Sequence, residues 1–255
     1  MREFSSSGVR IAFIDVPAQG QDRREPILLI HGFASTHAIN WVNPRWVETL
    51  TQAGRRVIAF DNRGHGASEK LYSPEAYHSS TMAADALNLL DFLDVARADA
   101  MGYSMGARIA AYLTLENPAR VRSLILGGLG DHLVHGVGLP VGIAHAMEAA
   151  SLDDLADPVE RMFRRFAEQT RGDRAALAAC IRGSRQTLTR EEVARIHCPT
   201  LVAAGTKDGI AGDPHALAAM FRHGETLDIP GRDHNLAVGD KVFKAGALAF
   251  LERRA

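Results

Sequence analysis

Apolar positions along the chain fall into short runs separated by polar, glycine-rich punctuation. Residues Val9–Val16 alternate loosely at period two, whereas Ile27–Ile30 and Val57–Phe60 are unbroken apolar tetrads. Alternation marks a strand with one solvated face, and a short continuous run marks a strand covered on both faces. The first stretch reads as hairpin strands, with a polar turn over residues 17–24. Further strands are predicted near residues 98–103, 121–126, 200–204 and 225–229. Between them the apolar spacing lengthens to that of a helix. Ala83, Ala86, Leu87, Leu90 and Leu93 line one helical face. Pro118 ends the helix after residue 104, with Asn117 pushed out of the helical region. Asn43-Pro44 and Asp213-Pro214 read as N-caps followed by a first-turn proline, Gly54 reads as a stop, and residues 241–251 form a closing helix.

Strands alternating with helices predict an α/β fold, a mostly parallel doubly wound sheet with helices on both faces. The alternation fails over residues 131–192, where only helical patterns occur. There Asp157-Pro158 caps a helix striped by Val159, Met162, Phe163 and Phe166, and Thr189 with Glu192 makes a capping box. A flexible glycine-rich segment is expected over residues 136–140. The expected organisation is therefore a core of residues 1–130 and 193–255, with residues 131–192 inserted as a helical cap over the C-terminal edge of the sheet.

Composition narrows this little. A chain of 255 residues suits one α/β domain with a small insertion. A net charge of −1 gives no electrostatic case for binding nucleic acid or an anionic membrane. Apolar runs are strand-length, far short of the roughly 20 residues of a membrane span. The first residues lack the apolar stretch of a secretory leader, and Cys180 and Cys198 are too few for a disulfide framework. The expected compartment is the cytoplasm.

Chemistry enters at Gly102-Tyr103-Ser104-Met105-Gly106, where an apolar strand passes into a helical pattern. A G-x-S-x-G sequence in that context is a sharp turn that lifts a serine hydroxyl clear of the sheet, and it needs glycines because a Cβ beside the serine would strike neighbouring backbone. A serine hydroxyl needs a base, and the base an orienting acid. Asp208 and His234 each lie in a loop directly after a predicted strand. Asp213 is better explained as a helix cap, and Asp233 points away if His234 faces the serine. His132 and His135 are spaced like metal ligands, but no third ligand accompanies them. They fall at the hinge of the insertion, where His132 could touch substrate. Trp41, Trp46, Met147, Met162 and Phe163 read as packing between cap and core.

The order Ser104, Asp208, His234, together with His31-Gly32-Phe33 and the glycine turn over residues 61–68, resembles the α/β-hydrolase superfamily along essentially the whole chain. Within it the chain looks close to the serine esterase, enol-lactonase and cofactor-free haloperoxidase group. The resemblance implies Ser104 as nucleophile, His234 as base and Asp208 as its orienting acid. It implies an oxyanion hole from the backbone N–H groups of Phe33 and Met105. Tyr103 and Phe166 are pocket candidates. Expected substrates are small to medium carboxylic esters or lactones, with no metal or organic cofactor. A C–C bond hydrolase, a perhydrolase and a slow-turnover ligand receptor share the same triad and stay open. Serine at the elbow disfavours the aspartate-dependent dehalogenases and epoxide hydrolases.

Overall fold

The computed structural model describes residues 1–20, 25–136 and 142–253. The polar turn and the glycine-rich segment read from sequence lie partly outside the described residues.

Eight strands form one sheet: β1 (Arg2–Ser6), β2 (Val9–Val16), β3 (Ile27–Ile30), β4 (Val57–Phe60), β5 (Ala98–Tyr103), β6 (Val121–Gly127), β7 (Thr200–Gly205) and β8 (Gly224–Ile229). Their order is β1-β2-β4-β3-β5-β6-β7-β8. Only β2 runs against its neighbours, and every pair from β4 to β8 is parallel. One expectation is corrected. The hairpin partner of Val9–Val16 is Arg2–Ser6, joined through Ser7 and Gly8 at φ 49° and 87°, the positive pair that a two-residue hairpin turn requires. β3 instead crosses over to sit between β4 and β5.

The helices are α1 (Trp46–Gln52), α2 (Ser79–Phe92), α3 (Met105–Glu116), α4 (His132–His135), α5 (Ile143–Glu148), α6 (Pro158–Gln169), α7 (Arg174–Gly183), α8 (Arg190–Ala194), α9 (Pro214–Ala218), α10 (His234–Ala237) and α11 (Lys241–Glu252). Alternate strand residues face opposite layers, as the pleat demands. Leu28, Ile30, Ile58, Phe60, Leu124 and Leu126 pack with α2 and α3, in a cluster that continues into α5, α6 and α7. Ile27, Leu29, Val57, Met101 and Ile125 pack on the other side with Trp41, Trp46 and α11. Helices α4 to α8 occupy the connection between β6 and β7, so the insertion shares the main core. Among the described residues no helix is long and apolar enough to cross a membrane.

The start of α1 departs from its local signal. Asn43 is not an N-cap. It is itself in the right-handed helical region and closes a single π-turn over Ala38–Val42, its N–H donating to Ala38 O. The chain then passes through Arg45 at φ 66° before α1 begins at Trp46. Both tryptophans are fully buried, edge to face at 6.3 Å, and the Trp46 indole N–H donates to Val238 O at 2.6 Å. Burial of the two indoles on one face outweighs the cap-and-proline signal between them.

Candidate active site

Ser104 sits between β5 and α3 at φ 56°, ψ −117°. A non-glycine residue in such a region stores on the order of 1–3 kcal/mol of strain. The flanking glycines make the turn feasible. A Cβ on Gly102 would lie 2.1 Å from Gly106 O, and one on Gly106 would lie 2.1 Å from Ile30 O. Strand and helix thus approach more closely than any side chain permits, and the Ser104 N–H donates to Gly127 O on the neighbouring strand.

The loops after β7 and β8 meet this turn. Ser104 Oγ lies 3.0 Å from His234 Nε2, and His234 Nδ1 lies 2.7 Å from Asp208 Oδ2. The other carboxylate oxygen of Asp208 accepts the Ile210 and Ala211 amides at 2.9 and 3.0 Å. The Asp208 side chain is wholly buried and that of His234 nearly so. With the acid fixed on Nδ1, the tautomer that leaves Nε2 free to accept the serine proton is favoured. Asp233 caps α10 through the Asn235 and Leu236 amides, so its carboxylate is committed elsewhere.

Tyr103 lies beneath the histidine. Its hydroxyl donates to His234 O at 2.6 Å, and the ring centroids are 5.5 Å apart. Burial first, then the charges of Asp208 and Asp233, push the phenol well above its usual range and keep it a neutral donor. Tyr103 borders the cavity described below, but its ring serves as a floor for His234.

The loop of residues 31–35 is held from several sides. His31 Nε2 accepts the Asn62 N–H at 2.9 Å, and Asn40 Oδ1 accepts the Gly32 N–H at 2.8 Å. Ala34 stands at φ 57°, and its carbonyl accepts the Thr170 hydroxyl from the end of α6 at 2.9 Å. The Phe33 ring contacts His65 and Phe163, each at 6.0 Å between centroids. Among the described residues the Phe33 amide has no acceptor. Met105 is the first residue of α3, so its amide has no partner within the helix.

Beside these groups opens a cavity of about 610 Å³. Gly32, Phe33 and Ser35 border it from the loop, Phe163 and Phe166 from α6, and Arg232, Leu236 and Lys241 from the segment around His234. Phe166 is therefore a wall residue. His132 is not, and this corrects the expectation that it reaches substrate. Its Nδ1 lies 2.8 Å from Ile210 O, and its own carbonyl accepts from Arg108 at 2.7 Å. It braces the Asp208 loop from outside. Trp41, Trp46 and Met147 are core residues. Among the described residues no group of three or more His, Cys, Asp or Glu is placed to hold a metal ion.

Asn40, Arg232 and Lys241 carry no local signal of a place at the cavity. Each is an ordinary polar residue with no local motif, brought to the cavity only by the packing of distant loops.

A family model described as the α/β-hydrolase fold matches residues 25–136. The enol-lactonase of Burkholderia xenovorans superposes with a TM-score of 0.78 over 98% of this chain and all of that one, at 22% identity, a likeness of fold. This chain has the α/β-hydrolase fold. Among curated relatives, the dihydrolipoyllysine-residue acetyltransferase component of the acetoin cleaving system of Pseudomonas putida is 31% identical over 84% of this chain and 60% of its own length. The 2-hydroxymuconate semialdehyde hydrolase of a Pseudomonas species is 34% identical over 55% of this chain and 45% of its own. The matches thus span about half the length of these two relatives.

Proposed function

We propose that this α/β hydrolase cleaves small to medium carboxylic esters or lactones through an acyl-enzyme on Ser104. The observation that carries the reading is the chain of contacts Ser104 Oγ to His234 Nε2 to Asp208 Oδ2, at 3.0 and 2.7 Å, beside a cavity large enough for such a substrate.

The chemistry follows from the contacts. Ser104 Oγ bonds to the ester carbonyl carbon as its proton passes to His234 Nε2. The carbonyl oxygen takes the negative charge and accepts from the Phe33 and Met105 amides, donors already aimed where charge develops. Asp208 stabilises the imidazolium and keeps the ring oriented. The tetrahedral adduct then expels the alcohol, which takes the proton back from His234. Water, deprotonated by the same nitrogen, releases the acid and restores the serine. Helices α4 to α8 act as the cap, with Phe163 and Phe166 offering an apolar wall.

The likeness to a 2-hydroxymuconate semialdehyde hydrolase favours one second reading, hydrolysis of a C–C bond next to a carbonyl. Labelling with a fluorophosphonate tests what both readings share. Stoichiometric modification of Ser104, located by peptide mass spectrometry and abolished in Ser104→Ala, is expected. A wild-type protein that stays unlabelled, or is labelled elsewhere, contradicts a competent Ser104. Turnover of esters against vinylogous diketones then separates the two readings.

A further inference from the structure

The cavity has two chemically distinct walls. One is aromatic, built from Phe33, Phe163 and Phe166. The other is charged. Apart from His234 and the neutral phenol of Tyr103, the ionisable residues bordering the cavity are Arg232, Lys241 and Asp240. Asp240 is committed on both oxygens. Oδ2 accepts from Arg232 Nε at 2.6 Å, and Oδ1 caps α11 by accepting the Val242 N–H at 2.7 Å. Lys241 is exposed and makes no ion pair among the described residues. Two cations against one acid leave this wall with a surplus positive charge.

The surroundings reinforce the sign. The Lys244 ammonium donates to Pro44 O, and Pro44 itself borders the same wall. The nearby acids do not face the cavity as free charges, since Asp208 is buried behind His234 and Asp233 is occupied in capping α10.

Resting on the ester-hydrolase reading above, we propose that the substrate is an acid-tailed ester or lactone. Its apolar part lies against Phe33, Phe163 and Phe166, and a carboxylate lies toward Lys241 and Arg232.

Two matched pairs of substrates test this. Mono-(4-nitrophenyl) glutarate against its methyl ester places the acid on the acyl side. The butyrate ester of 4-hydroxybenzoate against that of its methyl ester places it on the leaving group. In at least one pair kcat/KM is expected to favour the acid by about two- to fivefold at low salt, the range of an exposed ion pair. Added salt and Lys241→Met should shrink that ratio, and Lys241→Glu should invert it. No preference for the acid in either pair, or a preference unchanged in Lys241→Glu, overturns the proposal while ester hydrolysis stands. Failure of all four esters overturns the ester-hydrolase reading and this inference with it.

Discussion

At the scale of single residues, the site depends on side chains whose protonation is set by burial. His65, beneath the loop of Phe33, is driven down to about 3 by burial and then by neighbouring His31. His31 is lowered to about 4, mainly by burial, although Asp61 pulls the other way. Both are neutral in the fold at neutral pH. In the unfolded chain they take up protons below their ordinary value of 6.5. Between that value and the lowered ones the unfolded state holds more protons, so stability falls as pH falls. The contribution is complete above 6.5 and declines towards 4 and 3. The denaturation midpoint should therefore drop on going from pH 7.5 to pH 5, with a shallower slope in His65→Gln. A midpoint that is level over this range would show that these histidines are not buried neutral. Legibility at this scale was uneven for a physical reason. Ser104, Asp208 and His234 each follow shortly after a strand, in a local pattern that one stretch of sequence displays. Asn40, Arg232 and Lys241 acquire their positions from folding alone. Position at the hinge of the insertion, the ground for expecting His132 at the substrate, carries no information about which way its ring turns.

At the scale of elements, α6 and the loop carrying Phe33 form one unit. The Thr170 hydroxyl at the end of α6 bonds to Ala34 O, and Phe163 packs on Phe33. Ala34 holds a left-handed conformation, so its turn is the part of the loop most in need of support. Thr170→Val should lower kcat for ester hydrolysis by several-fold, a lost hydrogen bond being worth about 1 kcal/mol, with little change in KM. Thr170→Ser should restore it. An unchanged kcat in Thr170→Val would mean that the loop is held without α6. The α6 cap and its apolar stripe were readable because Asp157-Pro158 and a helical period are local signals. The π-turn before α1 was not, since burial of Trp41 and Trp46 decided it and no local pattern encodes that burial.

For the whole molecule, the class of fold was open to reading because apolar tetrads and helical periods alternate down the chain. Strand order was not, because adjacency in a parallel sheet is set by crossovers rather than by chain neighbours. β1 escaped notice for a related reason: in five residues it buries only Phe4 and Ser6. The sheet's function is to deliver the ends of β5, β7 and β8 to one edge, where Ser104, Asp208 and His234 meet. Under the proposed function, this meeting makes an ester hydrolase. Initial rates on 4-nitrophenyl esters of increasing acyl length, with Ser104→Ala alongside, test it most directly. Sustained turnover, best on short or medium chains, is expected, with a loss of at least about a thousandfold in Ser104→Ala. Turnover that survives in Ser104→Ala, or no sustained turnover by the intact protein, would contradict it.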